Sequence, residues 1–211
     1  MVKMVHEKIT FEDGITLIKF ARENIETYLK TSKKAIIPDE IEKKYSGKYG
    51  VFITLNKLDG NKKMLRGCIG YPEPTFSLIR AIYNVSISSA IEDPRFPNVT
   101  LEEMDNIVIE LTVLTPPELI EVNDSNEYLE KIKIGRDGLI VEYGMRRGLL
   151  LPQVPVDDGR NWDVKTFLEH TCMKAWLPAD SWMNKDTKIY KFEGIIFEEL
   201  TPRGEIILKE I

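Results

Sequence analysis

The fold is decided largely by one stretch of sequence, Leu65-Arg66-Gly67-Cys68-Ile69-Gly70. Side chains alternate between the two faces of a strand, so we expect Leu65 and Ile69 to face the core with the Cα of Gly67 between them. The opposite face then carries a guanidinium, a thiol and the bare backbone of Gly70. Glycine inside a strand often marks a bulge or a close approach to the backbone.

The sequence around this stretch predicts an antiparallel hairpin followed by a helix. Residues 49–56 are rich in β-branched and aromatic side chains, and Asp59-Gly60 is a typical hairpin turn. Residues 75–91 have helical spacing, and Asp93-Pro94 follows, where proline stops a helix. Small side chains dominate the second half of this helix, Ser86-Ile87-Ser88-Ser89-Ala90, so a neighbouring element can approach it closely.

The same patterns predict further helices over 11–30, 39–44 and 164–175, the last with Asp163 as its N-cap. Strands are predicted at 107–114, 132–134, 139–143, 149–151, 188–200 and 205–209. Clustered strands with helices between them are typical of an α+β fold with mainly antiparallel sheets and packed helices. We expect Trp162, Trp176 and Trp182 to anchor the last long helix.

Length and composition indicate an ordinary globular protein. A chain of 211 residues forms one domain or two closely joined subdomains, and it buries enough surface to need no disulfide or metal staple. Its 29 Lys and Arg against 34 Asp and Glu give a net charge of −5, so net charge does not indicate nucleic-acid binding. The sequence contains no apolar run long enough to span a membrane and no signal peptide. We therefore expect a cytoplasmic protein without membrane contact.

Several chemistries are excluded by residue counts and missing motifs. The only histidines are His6 and His170, and with only two cysteines besides them a closed Cys/His zinc site is nearly impossible to assemble. No cluster of closely spaced cysteines can hold an iron–sulfur centre. The sequence has neither a GxxxxGK[ST] P-loop nor a GxSxG elbow. We expect no metal and no cofactor, and we expect both cysteines to be free thiols in a reducing compartment.

The polar face of the glycine-rich strand is the leading candidate site. A guanidinium near a cysteine favours the thiolate and binds carboxylate or phosphate in bidentate fashion. Alternatively, Cys68 is a small packing residue and Arg66 pairs with a structural carboxylate. Glu110, on the polar face of its own strand, is either that carboxylate or a solvated surface residue.

Other residues give weaker indications of a site. Asp93 and Arg95 place opposite charges in a proline-limited loop, where they either contribute to the site or serve only as a cap and a solvated cation. Gln153 is polar within an apolar run, and such an amide more often bonds to the backbone than to a ligand. A Cys68–His170 pair of nucleophile and base is a further alternative, although a lone histidine is more often a packing residue.

The order of these segments resembles that of the AMMECR family. The resemblance covers nearly the whole chain and rests on Gly50–Leu55, Leu65–Gly70, Asp93–Phe96, Glu110–Glu118, Gly148–Val154 and Trp162–Ala175. One departure is Trp176, where a glycine is expected. The resemblance implies a single AMMECR-like domain over residues 5–211, built from two intertwined subdomains.

The resemblance implies no established activity, so function is predicted from the residues. We expect a binding or regulatory module with a cleft near the Arg66/Cys68 strand, which takes a small anionic ligand or a protein partner. The expected binding residues are Arg66, Gly67, Gly70, Asp93, Arg95, Glu110 and Gln153. The alternative is an enzyme or enzyme subunit with Cys68 as a thiolate nucleophile, for which the family resemblance implies Memo-like or radical-SAM partner proteins. No general base is visible, which favours the binding module.

Overall fold

A computed structural model describes residues 9–60, 62–156 and 159–209. Its helices are α1 Phe11–Thr31, α2 Asp39–Lys44, α3 Leu78–Ile91, α4 Tyr128–Lys131 and α5 Val164–Lys174. Its strands are β1 Gly50–Asp59, β2 Lys62–Tyr71, β3 Ile107–Leu114, β4 Glu118–Leu119, β5 Asp137–Tyr143, β6 Arg146–Leu150, β7 Lys188–Glu199 and β8 Ile206–Lys209. The predicted domain start at residue 5, and His6, lie outside the described residues.

The chain divides into two compact units. Unit 1 comprises the residues up to Leu114 together with those from Ile195 to the end of β8, and unit 2 comprises Thr115–Gly194. The described strand pairings are antiparallel. The predicted α+β class with mainly antiparallel sheets is therefore confirmed, whereas a single domain over residues 5–211 stays a prediction.

Unit 1 packs α1 and α3 on one face of a sheet in which β2 is the edge strand. The strand order is β2-β1-β3-β7, and β8 pairs with β7. Alternate residues of β1 and β3 are fully buried on the helix-covered face, as the period of two predicts. These core residues are Val51, Ile53, Leu55, Ile107, Ile109, Leu111 and Val113 from the strands, with Leu17, Ile18, Ile25, Ile79, Ile82 and Val85 from the helices.

A buried ion pair fastens α1 to the sheet of unit 1. The guanidinium of Arg22 bonds to both carboxylate oxygens of Glu199, and its Nη2 donates to the carbonyl of Ile107 at 2.6 Å. The second Glu199 oxygen also accepts the backbone N–H of Ile109 at 2.9 Å. Both charges therefore have several partners, which is what a buried pair requires.

Unit 2 places α5 beside the β5–β6 hairpin. Asp163 caps α5 as predicted, because its carboxylate accepts the Thr166 N–H at 2.7 Å. The predicted strand 132–134 is wrong, since the chain there forms a connection between α4 and β5. Trp182 is buried in the core of unit 2, but Trp176 is 87% exposed, so the expectation that it anchors α5 is also wrong.

A β-bulge in the hairpin of β1 and β2 changes which residues face the core. Leu55 pairs with Gly67 and Asn56 pairs with Leu65, so Arg66 has no partner on β1. An extra residue reverses the alternation of side chains on one side of the bulge. Ile69 packs against the core of unit 1 as predicted, whereas Leu65 is 42% exposed and the predicted inward orientation is wrong for it.

This geometry predicts opposite outcomes for two similar substitutions. Ile69→Asp should lower the free energy of unfolding by about 2–5 kcal/mol, because it removes an apolar side chain from the core and places a carboxylate there. Leu65→Asp should cost less than Ile69→Asp, about 1 kcal/mol, since that side chain is already 42% exposed. Denaturant unfolding of both variants measures this, and equal losses would show that the bulge is misplaced.

Candidate functional site

Strand β2 contains Leu65–Gly70, which we call the hallmark stretch, and it is shaped by a close approach of α3. A Cβ on Gly67 would overlap the backbone carbonyl of Ser89, so only glycine fits at this position. The prediction that the small residues of α3 admit a neighbouring element is therefore confirmed. The space beside the Cα of Gly67 is filled by the helix, which contradicts the expectation that this glycine opens the backbone to a ligand.

The hydroxyl of Ser89 also joins β1 to β2. Ile69 donates its backbone N–H to Ser89 Oγ at 3.0 Å, and Ser89 Oγ lies 2.8 Å from the carbonyl oxygen of Ile53. A helix side chain thus substitutes for a direct bond of the strand ladder. Two contacts of one helix residue fix the position of β2 immediately before and after Cys68.

Cys68 is held through its backbone on the outer edge of β2. Its N–H donates to Asp93 Oδ2 at 2.8 Å, and its carbonyl accepts from Arg95 Nη2 at 3.3 Å. Arg95 also binds the Asp93 carboxylate through Nε at 2.9 Å and Nη2 at 2.6 Å. This contact with Arg95 is the main reason why the pKa of Asp93 lies far below its ordinary value. The loop of Asp93 and Arg95 therefore supplies hydrogen-bond partners for backbone groups of an edge strand that would otherwise be unpaired.

The donors of Arg66 are engaged by the protein itself. Its Nε and Nη2 bind Glu103 at 3.0 and 2.9 Å, while Nη1 donates to the carbonyl of Pro97 at 2.7 Å. Nη2 also donates to the carbonyl of Asn98, and only 11% of the side chain is exposed. The sequence left two alternatives for Arg66, a ligand anion or a structural carboxylate. The structure contains the ion pair with a structural carboxylate.

That carboxylate is Glu103 and not Glu110. Glu110 accepts from Lys209 Nζ at 2.8 Å, so the suggested Arg66–Glu110 pair is wrong. The sequence analysis did not identify Glu103. A sequence signal for it exists, since Thr100 and Glu103 form a Thr-x-x-Glu capping box in which each accepts the backbone N–H of the other. What the sequence could not indicate is that the same carboxylate faces Arg66.

Three polar side chains form a row across the outer face of unit 1. Cys68 pairs with Thr54 in the register of β2 and β1, and Thr54 pairs with Glu110 in that of β1 and β3. The hydroxyl of Thr54 donates to Cys68 Sγ at 3.3 Å. The half-buried Cys68 thiol therefore has a defined hydrogen-bond donor, which the sequence analysis did not identify.

Arg95 is the cation beside this row that still has free donors. Its side chain is 54% exposed, and Nη1 makes no hydrogen bond with any described residue. The carboxylate of Asp93 raises the pKa of Arg95, and the side chain of Cys68 contributes in the same direction. The guanidinium is thus positioned by Asp93 and accessible at its other end.

The remaining predicted residues contribute less to this arrangement. A Cβ on Gly70 would overlap the ring of Phe52, so this glycine serves packing within the hairpin. Gln153 belongs to unit 2, where its Oε1 is buried without a hydrogen-bond partner among the described residues. The expectation that its amide bonds to the backbone is therefore wrong for this oxygen.

The second cysteine and the described histidine also belong to unit 2. Cys172 is fully buried, and burial raises its pKa to about 11. The ring of His170 stacks on Trp162 with centroids 4.0 Å apart. Cys68 and Cys172 are both free thiols, as predicted.

The described residues also bear on metal binding and membrane spanning. Within residues 9–60, 62–156 and 159–209, no cluster of three His, Cys, Asp or Glu side chains is arranged to hold a metal ion. None of the helices in these ranges combines the length and the apolar character needed to cross a bilayer.

Comparison with known proteins identifies the family. The AMMECR1 profile matches residues 18–197, which include β2, the Asp93 loop and α5. The chain belongs to the AMMECR1 family. Protein MJ0810 of Methanocaldococcus jannaschii is 55% identical over 203 residues, covering 96% of this chain and 98% of the relative. Protein PH0010 of Pyrococcus horikoshii is 53% identical over 205 residues, covering 97% and 98%.

A solved structure of an AMMECR1-family relative has the same fold. The crystal structure of the uncharacterized protein PH0010 from Pyrococcus horikoshii matches with a TM-score of 0.79 at 52% identity. The match covers 97% of this chain and 100% of that chain. The predicted family and fold are therefore both confirmed.

The observed partner of Arg66 predicts which substitutions destabilise unit 1. Arg66→Lys and Glu103→Gln should each lower the free energy of unfolding by about 1–3 kcal/mol, because each breaks a bidentate, charge-assisted contact. Glu110→Gln is the matched control and should cost less than about 1 kcal/mol, since Lys209 is largely exposed. Thermal unfolding of all three measures this. A larger loss for Glu110→Gln than for Glu103→Gln would contradict the assignment.

Glu103 also predicts an acid-dependent loss of stability. Its contact with Arg66 is the main reason why its pKa falls from 4.5 to about 2. A lowered pKa stabilises the folded state above the unfolded-state pKa, and that contribution is lost as the pH falls towards the folded-state pKa. Between about pH 4.5 and 2, the native chain should therefore lose stability more steeply than Glu103→Gln. Parallel curves from urea unfolding would show that Glu103 does not titrate in this window.

Proposed function

We propose that the chain is a binding or regulatory module, which takes an anionic group of a ligand or partner on unit 1 beside Cys68 and Arg95. The observation that supports this most directly is the state of the two predicted arginines. Arg66 is nearly buried with its donors engaged, whereas Arg95 is half exposed and keeps Nη1 free among the described contacts. We therefore assign to Arg95 the anion-binding role that the sequence analysis expected of Arg66.

The neighbourhood of Arg95 suits an anion that also accepts short hydrogen bonds. A guanidinium fixed on one side by a carboxylate loses little freedom when its other side binds a carboxylate or phosphate. The thiol of Cys68 and the hydroxyl of Thr54 lie on the adjacent face of the hairpin and add polar contacts. If the chain is a binding module, Cys68 contacts the ligand without reacting with it. We place this binding in the reducing cytoplasm.

The alternative is an enzyme, or an enzyme subunit, in which Cys68 is the nucleophile. It is favoured by the hydrogen bond that Thr54 donates to the Cys68 sulfur and by the guanidinium of Arg95, which binds the Cys68 carbonyl. A general base is still required. Unit 1 supplies no histidine among its described residues, since His170 belongs to unit 2. Memo-like or radical-SAM proteins would be its partners.

The binding role predicts a stabilisation by anions that depends on Arg95. In a thermal-shift panel of phosphates, nucleotides and dicarboxylates, at least one compound should raise the melting temperature of the native chain by several degrees at saturating concentration. Cys68→Ser should keep this shift, because serine also places a polar group beside Thr54, whereas Arg95→Gln should lose it. Arg80→Gln is the matched control, because Arg80 is a half-exposed arginine that binds Glu42 on the same unit.

The outcomes separate the two roles. The binding role fails if no anion stabilises the chain, or if Arg95→Gln responds as the native chain does. The enzyme role requires a covalent adduct on Cys68 after incubation with a metabolite extract, detected by intact-mass spectrometry and absent from Cys68→Ser. An anion shift without an adduct is the result that we expect.

A further inference from the structure

Trp176 occupies a backbone position that normally takes glycine. The last turn of α5 forms a Schellman motif, in which Leu177 N–H donates to the carbonyl of Cys172 and Trp176 N–H to that of Met173, both at 3.0 Å. Trp176 is the left-handed residue of this motif, with φ of 58°. A side chain with a Cβ is disfavoured in that conformation, so the chain loses stability by placing tryptophan there.

No described residue of unit 2 buries the ring and so offsets this strain. The side chain of Trp176 is 87% exposed, whereas the following residue, Leu177, is buried and completes the motif. Strain that persists without a gain in packing is commonly found at functional sites. The exposed indole is therefore best explained by a contact outside the chain.

A second exposed apolar side chain is next in sequence to a residue that contacts Trp176. Met145 is fully exposed in the turn between β5 and β6, and the next residue, Arg146, donates from Nη1 to the carbonyl of Trp176 at 2.7 Å. A Cβ on Gly148 would overlap the backbone of Ala175, so β6 packs directly against the end of α5. We call the surface formed by Met145, Arg146, Lys174 and Trp176 the tryptophan surface.

The tryptophan surface has the opposite charge to the whole protein. Its four residues include two cations, Arg146 and Lys174, and no acidic residue, although the net charge of the chain is −5. Tryptophan, methionine and arginine are also the residues most enriched in protein interfaces, and tryptophan and arginine carry much of the binding energy there.

We propose that the tryptophan surface docks an acidic segment of a partner protein, with the Trp176 ring inserted between apolar side chains of that segment. Charge complementarity selects an acidic occupant. A second copy in a two-fold arrangement would place the same cations against each other. Nucleic acid is disfavoured because the chain as a whole carries a net charge of −5 and so repels a phosphate backbone. This surface belongs to unit 2 and is independent of the Arg95 site.

A peptide selection against a matched variant tests the proposal. A displayed library of random peptides is selected on the full native chain and counter-selected on Trp176→Gly. We expect enrichment of peptides that combine Asp or Glu with an apolar residue, and a synthetic copy of the best peptide should bind Trp176→Gly about thirtyfold more weakly. Leu119→Ser, which changes an exposed apolar side chain elsewhere in unit 2, should bind as the native chain does.

The same variant distinguishes an interaction residue from a structural one. Trp176→Gly should melt at the same or a higher temperature than the native chain, because glycine fits the left-handed position without strain. A lower melting temperature would assign Trp176 to the fold and overturn the proposal. It would also be overturned by a failure to enrich acidic peptides, by equal peptide binding to both proteins, or by a self-association that Trp176→Gly abolishes. Tight binding of a labelled oligothymidine through Trp176 would overturn it in favour of nucleic acid.

Discussion

The contact between α3 and β2 is the constraint on which the rest of unit 1 depends. The carbonyl of Ser89 fills the space where a side chain of Gly67 would lie, and the hydroxyl of Ser89 bridges Ile69 to Ile53. Helix backbone and strand backbone are therefore in direct contact at the centre of the hallmark stretch. The bulge at Arg66 is directly adjacent to Gly67, on its N-terminal side, and it turns the side chain of Leu65 away from the core.

Most of the hallmark residues serve this scaffold. Gly67 admits the helix, Arg66 joins the strand to Glu103, and the backbone of Cys68 is fastened by Asp93 and Arg95. Most residues of the stretch Leu65–Gly70 therefore have structural roles, and together they hold the half-buried thiol of Cys68 in a fixed position. The chemistry that remains accessible is that of the thiol, its Thr54 donor and the free end of Arg95.

The sequence predicted those elements whose pattern is local. Helix α2 and strand β3 were predicted with the observed bounds, because a short polar helix and an alternating strand are defined by neighbouring residues. The predicted orientation of Leu65 was wrong because a bulge reverses the alternation of side chains, and the position of a bulge depends on what packs against the strand. The strand predicted at 132–134 was wrong because two alternating residues indicate little about pairing.

The candidate site was predicted only in part, for a similar reason. The proline-limited loop of Asp93 and Arg95 was identified, but its contacts with Cys68 join residues 25 and 27 positions apart. The Arg66–Glu103 pair joins residues 37 positions apart, and no periodicity indicates which of many carboxylates is the partner. Contacts of this kind follow from tertiary packing and not from local pattern.

The melting temperature of Gly67→Ala tests the central claim most directly. The added methyl group would meet the backbone of α3, which cannot rotate away as a side chain can, so we expect a loss of about 1–3 kcal/mol in the free energy of unfolding. Gly47→Ala is the control, because its methyl group would meet only the ring of Tyr49. A Gly67→Ala variant that melts with the native chain would contradict the account of how β2 and Cys68 are held.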